Sequence, residues 1–376
     1  LAFIPLLVIG ALAFVALRFG SGAFFPGEFP PVEELTFSKV TLAPNEITAV
    51  IINGGPSPVT VAQVLVDDAF WAHTITPSRT LRRLESATIK IPYPWVEAEP
   101  IEIKLLSSSG IPFTHAIAVA TTTPPVDAKF LTTFGLLGIY IGLIPVLLGM
   151  AFLPFLRTLS TRWLYFFMSF TAGVLIFLGV ETLTKAIQAT ATLPSALGGI
   201  GVVTMGVIGS FTLILAASRW MKRRTGSDAR LVVATTVAAG IGLHNLGEGL
   251  AVGAAYRLGE IALGAFLVVG FAIHNTTEGL GIVSIIAERK TRLITLLGLG
   301  MIAGLPTVAG AWIGAFFFSP TLAAVFLAVA TGAIAEVVVD VLAVVKQESS
   351  LGGWEALTGI ASGLAVMYTT GLLVVA

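Results

Sequence analysis

From residue 129 to the C-terminus the chain consists of long apolar runs separated by short polar loops. A helix of about 20 apolar residues spans the hydrocarbon core of a bilayer. By this measure the runs predict eight transmembrane helices, near 130–155, 163–188, 197–219, 231–256, 261–287, 292–317, 321–345 and 355–375. Charged residues make up 11% of the chain, against about 25% in soluble domains. The sequence therefore predicts a mainly α, polytopic membrane protein.

Two segments of different character precede this region. Residues 1–20 hold an apolar run that ends at Arg18, which we expect to be a retained transmembrane anchor. Residues 21–128 show short alternating runs, at 35–42, 47–52, 59–66, 88–92, 101–106 and 114–119. Strands spaced by about 8–12 residues predict a small immunoglobulin-like β-sandwich. The expected domains are an anchor (1–20), an extracytoplasmic β-sandwich (21–128) and an eight-span bundle (129–376).

Basic residues concentrate in alternate loops of the bundle, above all between 219 and 230 and between 289 and 292. The positive-inside rule places these loops in the cytoplasm. We therefore expect a multi-pass protein of the plasma or inner membrane, with the β-sandwich and the C-terminus outside the cytoplasm. Basic and acidic residues number 21 each, so the charge balance implies no nucleic-acid partner.

The pattern His-Asn-x-x-Glu-Gly-Leu occurs twice, at 244–250 and at 274–280. Within each copy His and Glu are four positions apart, which places them on one face of a helix. The short loop between the two predicted spans should bring these helices side by side. The candidate site residues are His244, Asn245, Glu248, His274, Asn275 and Glu278.

Ionisable groups at mid-membrane are costly, at about 2.5–3.5 kcal/mol for a central Asp, Lys or Arg. A divalent cation shared by both motifs would compensate, and imidazole, carboxylate and amide donors suit Zn²⁺, Fe²⁺, Mn²⁺ or Co²⁺. Thiolate sites are excluded because the chain has no cysteine. We expect Gly247, Gly249 and Gly279 to loosen the helices locally. The alternative is that each His–Glu pair is a hydrogen-bonded helix contact.

These residues resemble the ZIP family of metal-ion transporters, most of all its bacterial zinc-uptake branch. The resemblance covers about 129–376 and implies a ZIP-like bundle whose fourth and fifth helices hold the transported metal. It further implies that Glu181 and Asp340 line the transport pathway. The family's Pro before Glu is replaced here by Gly247 and Thr277, and a glutamate of its sixth helix by Thr307. The anchor and the β-sandwich are additions to the family pattern.

The resemblance implies transport of divalent ions into the cytoplasm, zinc first, with iron, manganese, cobalt and cadmium as other substrates. It implies a homodimer in the lipid bilayer and no enzymatic activity. The donor set predicts one tightly held ion per subunit. Two alternatives remain: an intramembrane metal-dependent hydrolase, although the H-E-x-x-H pattern is absent, and a metal-sensing or scaffold membrane protein. The partner of the β-sandwich is open, and we interpret its His73 and His115 as surface residues.

Overall fold

The computed structural model describes residues 32–117, 119–120, 122–123, 127–191, 193–225, 229–257, 261–317, 320–348 and 353–375. It also describes Val8, Gly10, Ala11 and Phe14, which are helical. The rest of the predicted anchor, residues 1–20, lies outside the described residues. The described chain forms an antiparallel β-domain followed by a set of long helices.

The β-domain consists of nine strands in the described residues. They are β1 (Leu35–Ala43), β2 (Glu46–Asn53), β3 (Val59–Val66), β4 (Ala69–Phe70), β5 (Thr74–Thr76), β6 (Thr80–Leu81), β7 (Ser86–Ile91), β8 (Ile101–Ser107) and β9 (Pro112–Ile117). One sheet has the order β1-β2-β7-β5 and the other β4-β3-β8-β9, with β6 pairing β3. Immunoglobulin domains arrange their strands in this order. The sequence pattern missed β4, β5 and β6, because two or three residues are too few to show alternation.

Alternate residues of the main strands point into one apolar core. Ile47, Ala49 and Ile51 of β2 are fully buried, as are Ile103 and Leu105 of β8 in the other sheet. All five belong to one hydrophobic cluster. Because successive side chains of a strand point to opposite faces, this alternation buries one face of each sheet against the other.

Eight helices follow in the described residues. They are α1 (Ala128–Leu156), α2 (Thr161–Thr190), α3 (Gly199–Thr225), α4 (Ala229–Arg257), α5 (Ile261–Ile285), α6 (Leu293–Gly304 and Pro306–Phe317), α7 (Pro320–Glu348) and α8 (Trp354–Val375). Five of them, α1, α2, α3, α6 and α7, contain segments long and apolar enough to cross a membrane. The chain is therefore a mainly helical membrane protein with an N-terminal β-domain. We propose below a topology in which α4, α5 and α8 also cross the membrane.

Two of the helices are interrupted at prolines. α1 contains a π-helical turn, Ile139–Leu143, directly before Pro145. Since proline has no N–H, the carbonyl of Ile141, four residues earlier, loses its regular helical donor. α6 is divided at Leu305, directly before Pro306. Both interruptions lie inside the helical domain, where the freed carbonyls need other donors.

The glycines of the motifs pack helices closely and do not loosen them. α4 and α5 are continuous through Gly247, Gly249 and Gly279. A Cβ at Gly249 would collide with the backbone carbonyl of Thr307, and one at Gly279 with that of Val146. The expected loosening at these glycines is therefore wrong. Gly249 lets α4 approach α6, and Gly279 lets α5 approach α1, at backbone distance.

The motif helices lie at the centre of the helical domain. α4 packs against α5, α6 and α7, while α5 packs against α1, α2 and α8. α2 in turn packs against α7 and α8, and α3 against α7. Side chains on the inner faces of α4 and α5 therefore meet helices from both ends of the sequence.

The β-domain is attached to the connection between α2 and α3. The Glu34 carboxylate accepts a hydrogen bond from the backbone N–H of Ser195 at 2.8 Å. The carbonyl of Gly54 accepts from the backbone N–H of Ala196 at 3.1 Å and from the Ser195 hydroxyl at 3.2 Å. These contacts tie two loops of the β-domain to one helix connection.

Candidate metal centre

The two motifs bring three ligand-type side chains together between α4 and α5. One donor atom from each of His244, Glu248 and His274 lies within 4.8 Å of the other two. The side chains are nearly inaccessible, with exposed fractions of 6%, 4% and 4%. The two imidazole rings are 6.2 Å apart, centroid to centroid. The three donor atoms are therefore close enough to share one ion.

Glu248 is the member of the group that contacts both histidines. Its Oε1 contacts Nε2 of His274 and lies 3.3 Å from Nε2 of His244. Its Oε2 accepts a hydrogen bond from the side-chain amide of Asn275 at 3.0 Å. The carboxylate thus faces both histidines through one oxygen and is oriented through the other. An outer hydrogen bond of this kind holds a ligand in place for a metal.

The two asparagines of the motifs reach the interrupted helices. Asn275 donates to the carbonyl of Ile141 at 2.8 Å, in the π-helical turn of α1. Asn245 donates to the carbonyl of Ala303 at 3.1 Å, in the last helical turn before the division of α6. Asn275 therefore binds the carbonyl that Pro145 leaves without a helical donor, and Asn245 binds a carbonyl close to the division of α6.

Several buried acceptor atoms around the group have no hydrogen-bond partner. They are Nε2 of His244, Oδ1 of Asn245, Oδ1 of Asn275 and both carboxylate oxygens of Glu278. Buried polar atoms are nearly always satisfied in folded proteins. The four oxygen atoms carry lone pairs that a cation can use, and Nε2 of His244 carries one when the ring proton is on Nδ1. The donor set therefore fits a metal ion.

No family model matches this chain, and no curated protein matches it. The buried His244–Glu248–His274 group could bind a metal ion, and its chemistry is the basis for a function. Two imidazoles and one carboxylate suit zinc and its neighbours in the first transition series. They suit Ca²⁺ and Mg²⁺ poorly, since those ions prefer oxygen ligands throughout.

Glu278 lies outside the three-residue group, although the second motif matches the first. It is buried, with 1% of its surface exposed, but its oxygens are not within 4.8 Å of all three ligand atoms. The site is therefore asymmetric: Glu248 meets both histidines, and Glu278 stands beside them. The repeated motif places the same side chains on one face of both helices. The helices that surround α4 and α5 differ, so the two glutamates have different neighbours.

The two other predicted pathway acids make contacts of their own. Glu181 on α2 forms an ion pair with Lys185, one turn later, at 2.6 Å. Asp340 on α7 accepts a hydrogen bond from the Ser218 hydroxyl on α3 at 2.9 Å. Neither acid joins the three-residue group. Asp340 thus makes a helix–helix contact between α7 and α3.

One residue that contacts the group was missed by the sequence reasoning. The Thr182 hydroxyl on α2 lies 3.0 Å from Nδ1 of His244, and both side chains are buried. A threonine in an apolar helix gives no sequence signal by itself. Its position one residue after Glu181, on a helix already suspected of lining the site, was the nearest clue.

The histidines of the β-domain take part in local contacts. The His115 ring stacks on Phe37 with centroids 5.1 Å apart, and burial lowers the pKa of this imidazole. Nδ1 of His73 lies 2.9 Å from the carbonyl oxygen of Trp71. Among the described residues, the metal-type group is confined to α4 and α5.

Proposed function

We propose that the protein carries a divalent transition-metal ion across the membrane, with Zn²⁺ as the first substrate. The observation that supports this most is the buried His244–Glu248–His274 group inside a set of apolar helices. Ionisable groups at such depth are rare and mark ion or proton pathways. Six motif side chains surround the proposed path: His244, Asn245, Glu248, His274, Asn275 and Glu278.

A single zinc ion can complete its coordination in this site. Zinc takes about four ligands, commonly two or three histidines with a carboxylate. His244, Glu248 and His274 supply three, and the unpartnered Oδ1 of Asn275 or the carboxylate of Glu278 can supply the fourth. Fe²⁺, Mn²⁺, Co²⁺ and Cd²⁺ share enough of this chemistry to compete.

The resemblance to ZIP transporters supports the same proposal. The three residues of the buried group are among the six motif residues that match the family pattern. The basic loops, between 219 and 230 and between 289 and 292, favour a cytoplasmic location for that side. The β-domain then faces outward, and the ion moves into the cytoplasm. A ZIP-like homodimer remains part of the proposal.

Transport requires the helices around the site to move. An ion held by side chains that are 4–6% exposed has no open route to either side. The neighbours of the site come from α1 and α6 on one flank and from α2, α7 and α8 on the other. Displacement of one set of helices relative to the other would open the site to alternate sides, as transporters require.

Flux measurement in sealed vesicles tests the proposal. Purified protein in proteoliposomes with an enclosed zinc-sensitive dye should admit Zn²⁺, and Glu248→Gln should abolish the signal. The matched control is Glu355→Gln, which removes a carboxylate paired with Arg162 at the start of α8 and should retain flux. A hydrolase or a scaffold would give no flux in the unmodified protein, and this result would refute the proposal.

A further inference from the structure

Thr182 reaches the metal-type group from a different part of the helical domain. It lies on α2, and its hydroxyl contacts two groups: the carbonyl of Leu178 at 2.6 Å and Nδ1 of His244 at 3.0 Å. Thr182 is 1% exposed, and His244 is 6% exposed. Water therefore has little access to this contact, and the direction of each hydrogen bond is set by the partners alone.

The hydroxyl can donate only once. A threonine hydroxyl has one hydrogen and two lone pairs. The carbonyl of Leu178 can only accept, and at 2.6 Å it takes that hydrogen. The contact with His244 then requires Nδ1 to be the donor. A neutral imidazole with a proton on Nδ1 carries its lone pair on Nε2.

This lone pair points at the place where an ion would bind. Nε2 of His244 lies 3.3 Å from Oε1 of Glu248, and it is buried without a hydrogen-bond partner. Oε1 of Glu248 is already engaged with Nε2 of His274. With the opposite tautomer, Nε2 of His244 would carry a hydrogen and could not bind a metal.

We propose that Thr182 is a positioning residue that holds His244 in the Nδ1–H tautomer and thereby prepares Nε2 as a metal ligand. This inference rests on the proposed function, since it assigns a role to a neighbour of the same site. In other metal sites the second ring nitrogen donates to a carbonyl, a carboxylate or water. Here the acceptor is the Thr182 hydroxyl, which comes from another helix. It can accept from Nδ1 because its own hydrogen is donated to the carbonyl of Leu178.

The same helix offers a matched control. The Thr184 hydroxyl donates to the carbonyl of Val180 at 2.8 Å, which is the same back-bond that Thr182 makes to Leu178. Thr184 is exposed, and this bond lies within α2. Thr184→Val therefore removes a helix back-bond without touching His244, while Thr182→Val removes both.

The tautomer can be observed in the unmodified protein without metal. The chain has four histidines, so ring-nitrogen NMR of ¹⁵N-histidine-labelled protein in micelles gives few signals, assignable by single substitutions. We expect His244 to show a protonated Nδ1 and an unprotonated Nε2. A protonated Nε2 in the wild-type protein would overturn the proposal, whether or not any variant folds.

Zn²⁺ affinity of the variants gives the second readout. Thr182→Val should mix or reverse the His244 tautomers and weaken Zn²⁺ binding about 10–100-fold, as loss of outer-shell partners does in other sites. Thr182→Ser, which keeps the hydroxyl, should retain both properties, as should Thr184→Val. If Thr182→Val does not fold, Thr182→Ala takes its place.

The outcomes separate the two proposals. The role of Thr182 alone would be overturned if Thr182→Val kept the wild-type tautomer and Zn²⁺ affinity. Equal losses of Zn²⁺ affinity in Thr182→Val and Thr184→Val would overturn it as well. Absence of Zn²⁺ binding in the wild-type protein would overturn the proposed function and the ligand role of Nε2 with it. Loss in Thr182→Val with rescue by Thr182→Ser would support the positioning role.

Discussion

The side-chain amide of Asn275 donates a 2.8 Å hydrogen bond to the carbonyl oxygen of Ile141, in the π-helical turn of α1. Its second amide hydrogen binds Oε2 of Glu248 at 3.0 Å. The carbonyl is open to a side-chain donor because Pro145, four residues later, has no N–H to donate. One amide thus connects an irregular turn of the first helix to the central carboxylate of the candidate site.

Replacing Asn275 by Ala should affect both stability and metal binding. The carbonyl of Ile141 would lose a buried donor, which costs about 1–3 kcal/mol of unfolding free energy. Glu248 would lose its orienting bond, and Zn²⁺ affinity should fall about 10–100-fold. Asn245→Ala is the comparison variant, since it also removes a donor from a buried carbonyl, that of Ala303, while the bond from Asn275 to Glu248 stays in place. Denaturant unfolding measures the loss of stability, and titration with Zn²⁺ in detergent measures the affinity. Equal losses of affinity in the two variants would contradict the orienting role of Asn275 toward Glu248.

The two motif glutamates should differ in effect. Glu248→Gln should reduce Zn²⁺ affinity by more than about 100-fold, because it removes the negative ligand that faces both histidines. Glu278→Gln should reduce affinity by about 10–100-fold, since Glu278 lies outside the three-residue group and balances charge from beside it. Isothermal titration of each purified variant measures the difference. A larger loss in Glu278→Gln would show that the second motif holds the ion.

Metal binding should release at least one proton. Nε2 of His274 and Oε1 of Glu248 are in contact, and histidine and carboxylate side chains bind a metal only in their deprotonated forms. Any proton that this pair holds must leave on coordination, so affinity should rise with pH, by about tenfold per unit for each proton released. Calorimetry in two buffers of different ionisation enthalpy counts the protons. A binding heat that is independent of the buffer would exclude this exchange.

The number of bound ions should be one per chain. Among the described residues, one group of three metal-type ligands is present, and Thr307 stands where the resemblance expects a further carboxylate. A second dication beside Glu248 and Glu278 would leave uncompensated charge in a medium of low dielectric constant. Metal counting by mass spectrometry on zinc-loaded protein checks this. Two ions at full occupancy would require another acid to move into the site.

The contact between the β-domain and the α2–α3 connection should protect local amides. Glu34→Ala removes the acceptor of the Ser195 N–H, and exchange of this amide should accelerate about fivefold to tenfold, for a bond worth about 1–1.5 kcal/mol. Glu33→Ala is the control, because Glu33 accepts from Ser109 within the β-domain. Hydrogen–deuterium exchange of the peptide that contains Ser195 reports the change. Equal acceleration in both variants would mean that the whole β-domain is destabilised.

The sequence by itself determined the membrane class, the β-domain, the positions of the helices and the motif residues. Hydropathy and strand alternation depend on neighbours in the chain, and the His-Asn-x-x-Glu spacing depends on one helical turn. Tertiary structure decided that Glu248, and not Glu278, joins both histidines. It also decided the partners from outside the motifs, because Thr182 is 62 residues from His244 and Ile141 is 134 residues from Asn275. Contacts over such distances depend on which helices pack together, and no local pattern encodes that.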